Sequence, residues 1–208
     1  MSDFSSIPFF NSDEILGRYE FRESILSFID IILSHNQSIN LVSRETSRSD
    51  LIRIAADCLI PLEFIDDLSG RFFDIGPGAG FPSIIYMLAR PGGEGYLIER
   101  TGKKAMFLNR TVELLGLNAS VIDGNFIEVA SSFEPHSFDF GLMKYVRLDK
   151  KIFAVAVSLL KPSGFFIYYS EFEDKRISIP DSVSVDKYHY YLDDRDNFRT
   201  LTVFSRIF

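Results

Sequence analysis

The chain has 208 residues, 46% hydrophobic and 25% charged, with a formal net charge of −7; a soluble globular protein with one substantial core is expected, and indiscriminate nucleic-acid binding is disfavoured because phosphate repels an acidic surface. A single cysteine, Cys58, and the scattered histidines His35, His136 and His189 exclude a disulfide framework and offer no metal-ligand spacing. No apolar run reaches the ~18 residues of a membrane span, and residues 1–4 show no basic n-region, so a cytoplasmic protein without metal or membrane is expected.

Taken in order, residues 13–35 place Phe21, Ile25, Phe28, Ile29 and Ile32 at steps of three and four, which predicts a helix. Ser12 and Asp13 are its expected caps, and Gly17 can divide it in two. Residues 36–46 are a polar connection. Ser47 or Ser49 can then cap a helix carrying Leu51, Ile52, Ala55, Cys58 and Leu59, which Pro61 ends. Residues 1–65 therefore read as a helical extension to a domain spanning 66–208.

From Gly70 onward strands and helices alternate, the pattern of a parallel sheet with crossover helices. Strands are predicted at 71–75, 95–99, 119–122, 138–143 and, after a Pro162-Ser163-Gly164 turn, 165–169. Helices are predicted at 81–90, 103–115 with Gly116 as C-cap, and 149–160. Two late β-like runs, 183–191 and 199–206, joined by the acidic residues 193–197, predict a closing antiparallel hairpin.

The first strand runs into Asp74-Ile75-Gly76-Pro77-Gly78-Ala79-Gly80-Phe81-Pro82, a strand–loop–helix in which glycines turn the backbone and admit a ligand to unpaired N–H groups. Phe81 stands where a dinucleotide fingerprint needs its third glycine, and no phosphate-binding P-loop lysine follows. What remains resembles the S-adenosylmethionine loop of Rossmann-like methyltransferases. In such a sheet ligands sit at the carboxyl ends of the strands. Asp74 can anchor the loop and the amino end of the ligand, and Glu99, ending the second strand, can accept from both ribose hydroxyls. Asp123 or Asn125 can meet the adenine edge, with Arg100 and Phe126 completing the expected cofactor set with Gly76, Gly78, Gly80 and Phe81.

The fourth strand end, Lys144-Tyr145-Val146-Arg147, faces the acceptor in this architecture. No two prolines are adjacent, so the exocyclic-amine motif is missing, and the only cysteine lies in the helical extension, so a thiolate mechanism is missing too. A ring nitrogen such as guanine N7 already has its lone pair and needs only alignment with the methyl. Residues 100–110 hold four cations and no acid, and residues 144–151 four cations against Asp149, whereas residues 171–196 hold eight acids against four bases. A basic rim around an acceptor pocket and ordinary solvated helix faces are the two readings of this distribution.

Together, Asn40-Leu41, Asp57, the loop at 74–82, Glu99 with Gly102-Lys103-Lys104, Phe107-Leu108 and Leu115-Gly116-Leu117 resemble the ribosomal RNA small-subunit methyltransferase G family, also called glucose-inhibited division protein B. The resemblance spans roughly residues 36–164. It implies a class I S-adenosylmethionine-dependent methyltransferase, an α/β Rossmann-like, mostly parallel sheet closed by an antiparallel strand and preceded by helices. The implied reaction is methylation of guanine N7 in small-subunit ribosomal RNA or the ribosomal particle by a monomer. Lys144 and Asn40 are the implied residues at the reacting centre, and Lys103, Lys104 and Arg147 the implied RNA contacts. The chain departs from the family pattern on the acceptor side, with Ile54, Lys144 and Ser170 where histidine, arginine and lysine are usual. A small-molecule or protein acceptor, or a non-catalytic binding module on the same fold, are the alternatives.

Overall fold

The computed structural model describes residues 7–65, 68–173 and 177–208. The leader reading at residues 1–4, the expected domain start at 66 and the charges at 174–176 lie outside the described residues. A two-residue strand β1 (Phe9–Phe10) leads into helices α1 (Ser12–Gly17), α2 (Arg22–Asn36) and α3 (Arg48–Leu59). Alternation follows: β2 (Arg71–Ile75), α4 (Ser83–Ala89), β3 (Glu94–Glu99), α5 (Gly102–Leu115), β4 (Ala119–Asp123), α6 (Phe126–Val129), β5 (Phe138–Met143), α7 (Lys150–Leu159) and β6 (Leu160–Tyr168). A hairpin of β7 (Val183–Leu192) and β8 (Arg199–Arg206) closes the chain.

The sheet order is β1-β7-β8-β6-β5-β2-β3-β4. Strands β2 to β6 are mutually parallel, and β8 inserts antiparallel between β6 and β7. This is the expected α/β architecture with its antiparallel closure. Side chains alternate faces at period two. Phe72 turns to the side covered by the N-terminal helices, α4 and α5, stacking on Phe140 at 4.9 Å. Phe73 turns to the side covered by α6 and α7, where Phe126, Phe138 and Phe166 surround it. One apolar cluster runs from Ile15 in α1 through Phe28 and Leu59 to Leu142 and Leu201 in the sheet. Helix α4 lies wholly inside it, every residue from Ser83 to Ala89 being buried.

Several local expectations need correction. The first helix is divided after Gly17 as expected, but its N-cap is Asn11, whose Oδ1 accepts from the N–H groups of Asp13 and Glu14. Ser12 is engaged elsewhere, its N–H and hydroxyl both donating to the Asp193 carboxylate. Phe21, expected on the apolar face of one long helix, sits at the break before α2 and is exposed. Strand β6 begins at Leu160, ahead of the expected turn, with a register irregularity against β5. Neither the edge strand β1, paired parallel to β7, nor the four-residue α6 was anticipated. Ser47 does cap α3 in a reciprocal box with Asp50, and Gly116 ends α5 with φ 61°.

Close packing at the centre of the sheet is tightest at Gly141 of β5, paired with Phe73 of β2, where an added Cβ would lie 2.2 Å from the Phe73 ring. That ring is held by aromatic neighbours and cannot withdraw freely. Gly141→Ala is therefore expected to destabilise the protein by about 3 kcal/mol, the overpacking range, read as a lowered urea midpoint with unchanged slope.

Candidate cofactor and acceptor site

From β2 the chain builds β3 and β4 on one side and then returns to build β5 and β6 on the other. A crevice is left at the carboxyl ends of β2 and β5, where the order reverses. The loop after β2 enters it with Gly76 and Gly78 at φ 69° and 58°, a region that favours glycine. A Cβ on Gly76 would strike Val146 at 2.8 Å, whereas one on Gly78 would meet nothing nearer than Lys104 Nζ at 3.9 Å. The backbone at Gly78 thus faces open space. That space is a cleft of about 670 Å3, lined among others by Gly76, Gly78, Glu99, Asn125, Lys144 and Tyr145.

The carboxylate of Glu99 is 5% exposed at the end of β3, where its Oε2 accepts from Gly78 N–H at 3.0 Å and its Oε1 from Thr101 N–H at 2.8 Å. It ties the glycine loop to the next strand end. Asn125 caps α6, its Oδ1 accepting from Ile127 N–H, and Phe126 beside it stacks on Phe73 at 5.6 Å. Phe81, Arg100, Lys104 and Arg147 also line the cleft. Other sequence-derived candidates do not. Asp74 and Gly80 lie behind the loop, Gly80 pressed against Ile84 and Phe28, while Lys103 and Asn40 are exposed on the surface beyond the lining. Among the described residues no group of three or more metal-ligating side chains converges.

Two buried aspartates behave oppositely. Asp74 has no exposure; its Oδ2 accepts from Ser83 N–H at the start of α4, while its Oδ1 and the Ser83 hydroxyl have no partner. Burial, helped by the Glu99 charge and only partly offset by Ser83, pushes its pKa up to about 8. Asp57 on α3 is as deeply buried but accepts from Lys144 Nζ, from Tyr190 Oη at 2.8 Å and from Arg199 Nη1 at 3.0 Å. Burial pushes its carboxyl up, but the Lys144 and Arg199 charges and these hydrogen bonds outweigh it and hold the pKa below the ordinary value. Burial likewise opposes the charge on Lys144, and Asp57 overcomes it. The sequence had singled out Asp57 and Lys144 separately. Their pairing, and the parts of Tyr190 and Arg199, went unread; the available signal was an acid within the run of buried residues Ala55–Leu59.

Opposite pH behaviour follows. A raised native pKa means that the Asp74 contribution to stability is complete below its ordinary value of 3.8 and is lost as pH climbs to about 8. The stability of Asp74→Asn relative to the parent is expected to rise steadily across that window, as read from urea midpoints at successive pH values. Asp57→Ala strands Lys144 and is expected to cost about 3–5 kcal/mol at neutral pH in the same measurement.

The sequence profile of rRNA small subunit methyltransferase G matches residues 22–183. A ribosomal RNA small subunit methyltransferase G from Syntrophomonas wolfei is 31% identical over 142 residues, 68% of this chain and 66% of that protein. Its counterpart from Helicobacter hepaticus is 29% identical over 174 residues, 81% of this chain and 93% of that one. The crystal structure of an O-methyltransferase from Bacillus cereus with S-adenosylhomocysteine superposes with a TM-score of 0.61 at 16% identity, covering 94% of this chain and 99% of that one. That likeness shows the class I S-adenosylmethionine-dependent methyltransferase fold. By the profile match over most of its length, the chain belongs to the ribosomal RNA small-subunit methyltransferase G family.

Proposed function

We propose that the chain transfers a methyl group from S-adenosylmethionine to N7 of a guanine in small-subunit ribosomal RNA. The carrying observation is the cleft itself: an open glycine backbone at Gly78, the Glu99 carboxylate at the end of β3, and cations Lys104, Lys144 and Arg147 on its walls. The residues fit the cofactor. Glu99 would take the ribose hydroxyls, Asn125 and the backbone after β4 the adenine edge, and the Gly76–Gly78 backbone the methionine portion. Asp74, neutral at pH 7 and bonded to α4, acts by setting the shape of the loop.

When bound, the cofactor supplies an electrophilic methyl on a sulfonium. Guanine N7 needs no general base, so the task left to the protein is alignment and exclusion of water. Lys144, sealed against Asp57, holds the loop after β5 rather than moving a proton. Lys104 and Arg147 draw the RNA backbone to the cleft mouth in a chain whose overall charge is −7. Asn40, exposed and outside the lining, is assigned no step. The acceptor is the small ribosomal subunit and the compartment the cytoplasm; among the described residues no helix is long and apolar enough to cross a membrane.

Calorimetric titration is expected to show S-adenosylmethionine binding that Glu99→Ala weakens about 10-fold to 100-fold, the range for a hydrogen-bonded charged group. Labelled cofactor with unmethylated small subunits should then yield 7-methylguanine in the RNA, with a rate that falls steeply as salt is raised. Binding without any transfer to RNA would sink the RNA acceptor in favour of a small molecule or protein, and absence of binding would leave only a non-catalytic module.

A further inference from the structure

The connection between α2 and α3 contains no helix or strand, yet one side chain orders it. Asn36, the last residue of α2, is buried. Its Oδ1 accepts from the N–H groups of Leu41 at 2.9 Å and Val42 at 3.0 Å, and its Nδ2 donates to the Ser43 carbonyl at 3.4 Å. The Ile39 N–H returns to the His35 carbonyl at 2.9 Å, so the chain folds back on the end of the helix. A buried amide that spends both its oxygen and its nitrogen on the backbone of one loop fixes the course of that loop.

What Asn36 fixes is a wall of the cofactor cleft. Leu41, 4% exposed, belongs to the main apolar cluster, and the half-buried Val42 and Ile54 pack against it; all three line the cleft. None of these side chains carries a polar atom. One turn beyond Ile54 on α3, Asp57 grips Lys144 after β5, which sets the wall on the β5 side of the crevice. Glu99 ends β3 and Asn125 follows β4, on the opposite side of the loop after β2. The open backbone of Gly76 and Gly78 thus lies between a polar side and an aliphatic one.

We infer that Asn36 is a positioning residue for S-adenosylmethionine: by holding Leu41 and Val42 beside Ile54 it sets an aliphatic wall for the sulfonium end of the cofactor. This rests on the cofactor assignment above. Ribose and adenine carry donors and acceptors that need polar partners, whereas a sulfonium is a sulfur bonded to three carbons and has no hydrogen to donate. A wall without polar atoms gives water no foothold beside the reacting methyl and presents no competing nucleophile. Asn36 is outside the cleft lining and acts only through the loop it holds.

Calorimetric titration of the full chain with S-adenosylmethionine and, separately, with adenosine, which lacks the sulfonium end, tests this. Asn36→Leu removes the hydrogen bonds to the loop and is expected to weaken S-adenosylmethionine binding about 10-fold, with adenosine affinity within about 3-fold of the parent. Val42→Ala trims the wall but keeps the backbone N–H that Asn36 accepts, and is expected to weaken S-adenosylmethionine about 3-fold to 10-fold with adenosine again unaffected. Should Asn36→Leu fail to fold, Val42→Ala decides alone. Unchanged S-adenosylmethionine binding in Val42→Ala, or a parallel loss of both ligands, overturns the inference. A parent that binds neither ligand overturns instead the cofactor assignment on which it rests.

Discussion

Asp57 is a carboxylate taken out of water and shared by three donors from three distant stretches of chain: Lys144 after β5, Tyr190 in β7 and Arg199 in β8. Desolvating such a charge is costly unless every lone pair is used, and here the pairing is dense enough to keep the acid ionised. The geometry at the end of β5 depends on it. Helix α3 carries Asp57, so the N-terminal helices act as a brace reaching through to Lys144 at that strand end. Cys58 beside it is buried with its thiol pushed up by desolvation, and takes no part as a nucleophile.

Asp74 shows what burial does without such partners. It receives one backbone hydrogen bond and no cation, and protonates. The two acids divide the site between them. A neutral acid at the base of the glycine loop adds no fixed charge behind the cofactor, while the ionised one supports cations on the acceptor side. Glu99 completes the set as the only one of the three that lines the cofactor cleft, bridging the loop to β3 through two backbone N–H groups.

The cofactor half of this arrangement was legible because it is local. Strand, glycine loop and helix follow one another in sequence, and Glu99 is recognisable as the residue that ends the next strand. Parallel strands with crossover helices were readable from alternating apolar periods for the same reason. The acceptor half was not. Lys144 is 87 residues from Asp57 and Tyr190 is 133, separations that no periodicity spans. Short elements escaped as well: two residues of β1 and four of α6 are too few to show a repeat. The cap falls at Asn11 and not at Ser12, an equally good capping type, whose N–H and hydroxyl are engaged by Asp193, a partner that only tertiary structure reveals.

That engagement has a temporal side. Ser12 and Asp193 are 181 residues apart, and β1 pairs with a strand that lies near the other end of the chain. The first helix therefore cannot be clasped, nor the Asp57 charge fully compensated, until the closing hairpin has been made. The glycine loop and its flanking strands close over short loops, whereas the Asp57 cluster must wait for β7 and β8. An order of assembly is thereby written into the topology: the glycine loop and Glu99 can be in place before Asp57 gains Tyr190 and Arg199.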